Sequence, residues 1–176
     1  RDSPTLMQIQ PKDYYEGDTF ERIKQYADNL ETPCVVIDTA TFARQLDELM
    51  ACFPYAKTYY AIKANPAEEL LRILDDRGCN FDVASRYELD KVLAIGVKGD
   101  RVSYGNTIKK SKDIRYFHEK GVDLFATDSE ADLRNIAQAA PGARVFVRIL
   151  TEGAQTADWP LSRKFGCQTD MALDLC

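Results

Sequence analysis

An α/β fold, with parallel strands alternating with helices, follows from three features of this 176-residue sequence. Short β-rich runs recur along the chain. Each is followed by a segment with helical spacing. Cap residues and glycines punctuate the joins. The strand ends fall near Lys63, Ala84, Tyr104, Thr127 and Ile149, spaced 21, 20, 23 and 22 residues apart. So even an alternation specifies right-handed βαβ crossovers and a parallel sheet.

Ahead of the repeat, residues 18–30 read as a helix, with Asp18 and Glu21 at capping spacing and Phe20, Ile23, Ala27 and Leu30 on one face. Residues 33–38 read as a strand. Residues 41–53 read as a helix with Leu46, Leu49 and Phe53 inward. The strands of the repeat are 58–63, 80–84, 101–104, 124–127 and 144–149. The helices between them carry apolar stripes: Leu70, Leu71 and Leu74; Leu89, Val92 and Leu93; Ile114, Phe117 and His118; Leu133, Ile136 and Ala137. Asn65-Pro66 with Glu68 places a cap, a first-turn proline and an acid in order. Ser85 with Glu88 has capping-box spacing, and Ser129 with Asp132 resembles it. Gly78, Gly96, Gly121 and Gly142 mark the helix ends.

Two architectures fit this order, an open doubly wound sheet and a (β/α)8 barrel. Neither Gly-x-Gly-x-x-Gly after the first strand nor Gly-x4-Gly-Lys-Ser/Thr is present, so both nucleotide-binding fingerprints are missing. The even period favours the TIM-type barrel. A complete barrel takes about 250 residues, so this chain supplies about five of eight strands, a partial (β/α)8 barrel. The chain stops at 170–176 inside what reads as a new helix, and it is expected to be part of a larger protein. The domains expected are 1–38, an N-terminal extension and first strand, and 39–176, the N-terminal part of the barrel.

Hydrophobic residues make up 45% of the chain and charged residues 29%, which is the globular class and argues against disorder. A net charge of −5 gives no basic footprint, so nucleic acid is not an expected partner. The apolar runs, such as 35–37 and 145–147, are too short for a membrane span. No charged-then-apolar signal segment opens the chain, and the five cysteines are widely spaced without Cys-x-x-Cys. That usage fits reduced thiols in a cytoplasmic protein. His118 is the only histidine, so it is the one candidate for a His-ligated metal or a Ser-His-Asp triad. It lies mid-helix among charges and reads as structural or solvated; no metal site is expected.

In a parallel barrel the βα loops meet at the C-terminal ends of the strands, and chemistry gathers there. Those ends carry Lys63, Asp82 with Ser85, Asn106, Asp128 with Ser129, and Arg148. Tyr59, Ala61 and Lys63 share one strand face by the period of two, which aims Lys63 into the barrel mouth. Partial desolvation there would favour a neutral, nucleophilic amine, suited to Schiff-base formation with an aldehyde. Position alone leaves a solvated lysine open, and a cap or loop role for Asp82 as well. Glu88 reads as the reciprocal partner of Ser85 in the capping box. Arg148 ends an apolar strand, where a buried arginine needs a partner, and reads as a contact to an anion or phenolate. Lys109-Lys110 reads as a solvated face.

The segments YAIKANP, FDVASRYEL, YGNTIKKSKDIRYF, FATDSEADL, and VRI with LSRKFG resemble, in order and spacing, the group IV pyridoxal-phosphate-dependent decarboxylases of basic amino acids. Within that family the likeness is to ornithine decarboxylases, including bacterial forms with lysine activity. It runs over residues 12–176. A YAxKAN segment alone is shared with the diaminopimelate decarboxylases. Those usually carry Ser-Gly-Gly-Glu where this chain has Ser85-Arg86-Tyr87-Glu88.

The resemblance implies an alanine-racemase-like barrel and a β-domain to which the N-terminal extension would belong. It implies pyridoxal 5'-phosphate as cofactor, with Lys63 as the lysine that holds it, Asp82 as the acid beside that lysine and Arg148 as the arginine near the ring. Lys164 matches a lysine that pairs with an acid of the second subunit of a homodimer, and Gly166 belongs to the same turn. The activity implied is decarboxylation of L-ornithine to putrescine and CO2 in polyamine biosynthesis. The alternatives are L-lysine or dual use, and a non-catalytic decarboxylase-like regulatory fragment. The rest of the family's site lies beyond Cys176, so this chain alone is expected to be inactive.

Overall fold

The computed structural model describes residues 10, 13–151 and 165–176. The chain divides into two compact units, residues 1–45 and 46–176. In the first, α1 (Thr19–Ala27) buries none of its residues. The helix α2 (Thr39–Cys52) starts two residues earlier than its apolar stripe predicts. Asp38 sets that start: its carboxylate accepts from the Ala40 N–H and from the Thr41 hydroxyl, each at 3.0 Å. The strand expected at 33–38 is absent. The segment has no ladder partner among the described residues, and Val35 is 87% exposed. β-rich composition without a neighbouring strand to take its N–H and C=O groups makes only extended chain.

The second unit holds the repeat. In chain order it runs β1 (Tyr59–Ala61), α3 (Glu68–Asp76), β2 (Asn80–Val83), α4 (Arg86–Ala94), β3 (Val102–Tyr104), α5 (Ser111–Glu119), β4 (Leu124–Thr127), α6 (Glu130–Ala139), β5 (Arg144–Val147) and α7 (Thr169–Leu175). The five strands form one parallel sheet in the order β1-β2-β3-β4-β5. A doubly wound sheet reverses its strand order at a switch point. Here every strand is followed by its next neighbour in the same direction, which is barrel order.

Alternation along the strands sorts their side chains. Phe81 and Val83 of β2, Val102 and Tyr104 of β3, and Phe125 of β4 are buried with Leu71 and Leu74 of α3, Leu89 and Val92 of α4, and Ile114 and Phe117 of α5. Tyr104 stacks on Phe117 with ring centroids 3.8 Å apart. Each such side chain contributes about 1.5–3 kcal/mol by leaving water, so this layer holds the helices on the sheet. The other strand face carries Ala61, Asp82 and Ser103, which are successive register partners across β1, β2 and β3.

The predicted caps at Ser85 and Ser129 form, accepting from the N–H groups of Glu88 at 3.3 Å and Asp132 at 3.4 Å. The third expected cap shifts. The helix α3 begins at Glu68, and Asn65 instead accepts from the Ala67 N–H at 3.0 Å, closing an Asx turn ahead of it.

Two expectations fail in the next layer. Ala137 is exposed, whereas Asp132 is buried. Lys109 is not on a solvated face: its side chain is 0% exposed. Its ammonium donates to Asp132 Oδ2 at 2.6 Å, to the Ala126 carbonyl at 2.6 Å and to the Asn106 carbonyl at 2.9 Å. Burial pulls the Lys109 pKa below its ordinary value, and Asp132 opposes that shift. All three donors of the ammonium are satisfied, which is what makes a buried lysine tolerable.

Candidate active site

Lys63 is not in a strand. After Ala61 the chain makes one turn of 3-10 helix, Ile62–Ala64. Ile62 is fully buried and anchors the turn, while Lys63 on its other side is exposed. The turn, rather than strand alternation, therefore brings Lys63 to the C-terminal rim of the sheet. The described residues do not supply the desolvation that the sequence reading expected for its amine.

Lys63 lines a concavity of about 570 Å³ together with Asp82, Glu88, Asn106, Phe146 and Arg148. That volume is in the range of small-molecule and cofactor sites. Four of the residues predicted from strand ends, Lys63, Asp82, Asn106 and Arg148, come together here. The other predicted residues do not line it: Ser85 is a helix cap, and Asp128 accepts from the Gly166 N–H at 3.0 Å.

Asp82 is half-buried in β2, and its Oδ1 accepts from the Ser103 hydroxyl at 2.6 Å. Burial raises its pKa above the ordinary carboxylate value. The Ser103 hydrogen bond and the charges of Lys63 and Arg148 pull it down, while Glu88 pushes it up. Because folding raises this pKa, ionised Asp82 costs stability. The cost is absent where the acid is protonated in both states, and it grows as pH rises from the unfolded value through the raised folded one. Asp82→Asn is therefore expected to resist denaturant better than the parent at neutral pH, with the gain shrinking in acid. Urea melts at several pH values check this; an equal or lower midpoint at neutral pH would contradict it.

Glu88 does not return the capping-box bond to the Ser85 N–H. Its Oε2 accepts from the Ala84 N–H at 2.5 Å, one residue further back than that motif requires. This pose turns the carboxylate into the concavity and next to Asp82. Sequence reasoning also missed Ser103 as a member of the site; its signal is the offset of 21 residues from Asp82, one repeat, which makes them cross-strand partners.

Arg148 is the first residue after β5, and it is exposed, not buried as its apolar strand suggested. Its guanidinium lies 5.3 Å from the centre of the Phe165 ring. A backbone clip holds the two segments together: the Cys167 N–H donates to the Arg148 carbonyl and the Leu150 N–H to the Cys167 carbonyl, each at 2.9 Å. Gly166 sits in this clip at φ +111°, and a β-carbon there would come within 2.8 Å of the Ile149 carbonyl carbon. Gly166→Ala is expected to destabilise by about 1–3 kcal/mol through strain and to loosen Phe165 from Arg148. Thermal unfolding together with limited proteolysis around 165–167 checks that. Lys164, predicted beside Gly166, lies outside the described residues.

The donor set fits pyridoxal phosphate. Lys63 offers a primary amine for an aldehyde, Arg148 a cation for anionic oxygen, and Asp82 an acceptor whose charge interacts with both. Among the described residues no cluster of three His, Cys, Asp or Glu side chains could hold a metal, and no helix is long and apolar enough to cross a membrane.

Comparison with known proteins agrees with this chemistry. Residues 39–176 match the family model described as pyridoxal-dependent decarboxylase, pyridoxal binding domain. The chain is 36% identical over 135 residues to an ornithine decarboxylase of Schizosaccharomyces pombe, covering 77% of this chain and 31% of that protein. It is 32% identical over 155 residues to a lysine/ornithine decarboxylase of Selenomonas ruminantium, covering 88% and 39%. Among solved structures, a lysine decarboxylase from Selenomonas ruminantium superimposes with a TM-score of 0.77 at 30% identity, covering 96% of this chain and 42% of that one. The chain thus spans about a third of the length of the curated relatives it matches. With a sequential parallel sheet, an amine, an acid and a guanidinium on one rim, and a family match over residues 39–176, the chain belongs to the pyridoxal-dependent decarboxylases.

Proposed function

We propose that this chain is the N-terminal portion of an enzyme that decarboxylates L-ornithine to putrescine and CO2. The observation that carries the reading is the convergence of Lys63, Asp82 and Arg148 on one concavity at the C-terminal rim of the sheet. The likeness to an ornithine decarboxylase supports the choice of substrate. In this reading the enzyme is cytoplasmic, serves polyamine synthesis and works as a homodimer, with Lys164 and Gly166 on the segment that meets the second subunit.

Lys63 would hold the cofactor through its amine, and Arg148 would lie beside the ring. When bound, pyridoxal phosphate supplies an electron-accepting ring for loss of the α-carboxylate. The chain's own residues do the rest. Asp82 accepts a hydrogen bond from the Lys63 ammonium or returns a proton to its amine, because it is the acid whose charge acts on that nitrogen. Phe165 lies beside the Arg148 guanidinium and limits the directions it can take. Glu88, fixed by the Ala84 N–H, keeps the floor of the concavity acidic and suits a cationic substrate.

L-lysine as substrate, alone or beside ornithine, is a second reading, favoured by the likeness to a lysine/ornithine decarboxylase over 88% of the chain. Steady-state kinetics of the complete protein on both amino acids separate the two. A higher kcat/KM on ornithine supports the proposal; a higher value on lysine selects the second reading; release of CO2 from neither sinks both.

A further inference from the structure

We propose that Ser103 is a positioning residue for Asp82, holding one carboxylate oxygen so that the other faces Lys63 and Arg148. The functional consequence rests on the reading of Lys63 and Asp82 given above; the contact itself does not. Ser103 is only 3% exposed in the middle strand of the sheet, and its hydroxyl spends its one proton on Asp82 Oδ1 at 2.6 Å. The two residues are register partners, so neither strand has to bend to bring them together.

The carboxylate is trapped from a second side. A β-carbon on Gly105 would collide with both carboxylate oxygens of Asp82, so the acid rests against bare backbone there. That backbone is itself tied to β2, because the Gly105 N–H donates to the Val83 carbonyl at 2.9 Å. Ser103 of β3 and Gly105 just after it thus form a seat for an acid of β2. The groups facing the seated carboxylate are Lys63 from the turn after β1, Glu88 from α4 and Arg148 from the end of β5. Two cations and one acid surround it, and the Ser103 hydroxyl is the neutral donor that sets its direction. A hydrogen bond to a charged acceptor is stronger than one to a neutral acceptor, so this bond favours the ionised acid.

The test is a double-mutant cycle on the cofactor-free complete protein, with Ser103→Ala and Asp82→Asn singly and together, read by denaturant unfolding across acid to neutral pH. Ser103→Ala should lose more stability at neutral pH than in acid, and that pH-dependent part should vanish in the Asp82→Asn background. In the loaded enzyme, kcat/KM of Ser103→Ala should fall about tenfold further at the acid end of the profile than at its optimum. Ser103→Thr keeps the hydroxyl and should restore both behaviours; if Ser103→Ala does not fold, Ser103→Cys, a weak donor, carries the same cycle. A deficit that is flat with pH and unchanged when Asp82 is Asn overturns the proposal. Unchanged kcat/KM in every variant, Asp82→Asn included, with an intact cycle would instead count against the catalytic reading of Asp82.

Discussion

Lys63→Ala is expected to remove decarboxylase activity from the complete protein, by about 10³-fold or more, while leaving its fold intact. The size of the loss follows from what the amine does. A nucleophile held in place turns a bimolecular step into an intramolecular one, and no neighbour on this rim can replace it. Arg148 offers a delocalised guanidinium, which does not serve as a nucleophile. For the same reason Lys63→Arg should fail nearly as completely, although it keeps the charge. The fold should survive because Lys63 is exposed and Ile62 anchors its turn; exposed substitutions of this kind usually change stability by no more than about 0.5 kcal/mol. Borohydride reduction in the presence of pyridoxal phosphate, followed by peptide mass mapping, should label Lys63 in the parent. Label on another lysine, or full activity in Lys63→Ala, would end the assignment.

Lys109→Ala should produce the largest loss of stability of any single change considered, about 3–5 kcal/mol, because it leaves Asp132 buried without its partner. Against a usual total of about 5–15 kcal/mol this is enough to unfold a marginal domain. Asp132→Ala should cost a similar amount by stranding the ammonium. Replacing the pair with Lys109→Met and Asp132→Leu should recover part of the loss, not all of it. The carbonyls of Ala126 and Asn106 would still lack the donor that Lys109 gives them, at about 1–3 kcal/mol for each buried acceptor left unpaired. Urea melts of the parent and these three variants measure the differences. A cost below about 1 kcal/mol for Lys109→Ala would mean that water replaces the ammonium. The same change should weaken the site, since Lys109 holds the loop that presents Asn106 to the concavity.

The contrast between Lys63 and Lys109 shows where sequence reading succeeds and fails. Both follow strands of the repeat. Lys63 was placed by its position at a strand end, a rule that depends only on the local order of elements. Lys109 lies in a loop beside a second lysine, and local composition there says solvent. What buries it is Asp132, 23 residues away on the next repeat. Arg148 shows the opposite error: an apolar strand suggested burial, but β5 ends the sheet among the described residues, and three of its four side chains stay exposed. The segment 33–38 fails for a related reason, since strand composition cannot supply a ladder partner.

By itself the sequence determined the α/β class, the five strands of the repeat, the caps at Ser85 and Ser129, and the set of rim residues from which Lys63, Asp82, Asn106 and Arg148 came. These are features of short range, set by alternation, helical spacing and the φ that glycine allows. The sheet bears out the barrel order that the even period favoured, while the tertiary structure alone decided the burial of Lys109 against Asp132, the turn of Glu88 into the concavity, and the seat that Ser103 and Gly105 make for Asp82. The physical reason is that each of these joins residues on different elements, mostly about one repeat apart. Which groups meet across that distance depends on strand register and the direction of every crossover, and neither is a property of any local stretch of chain.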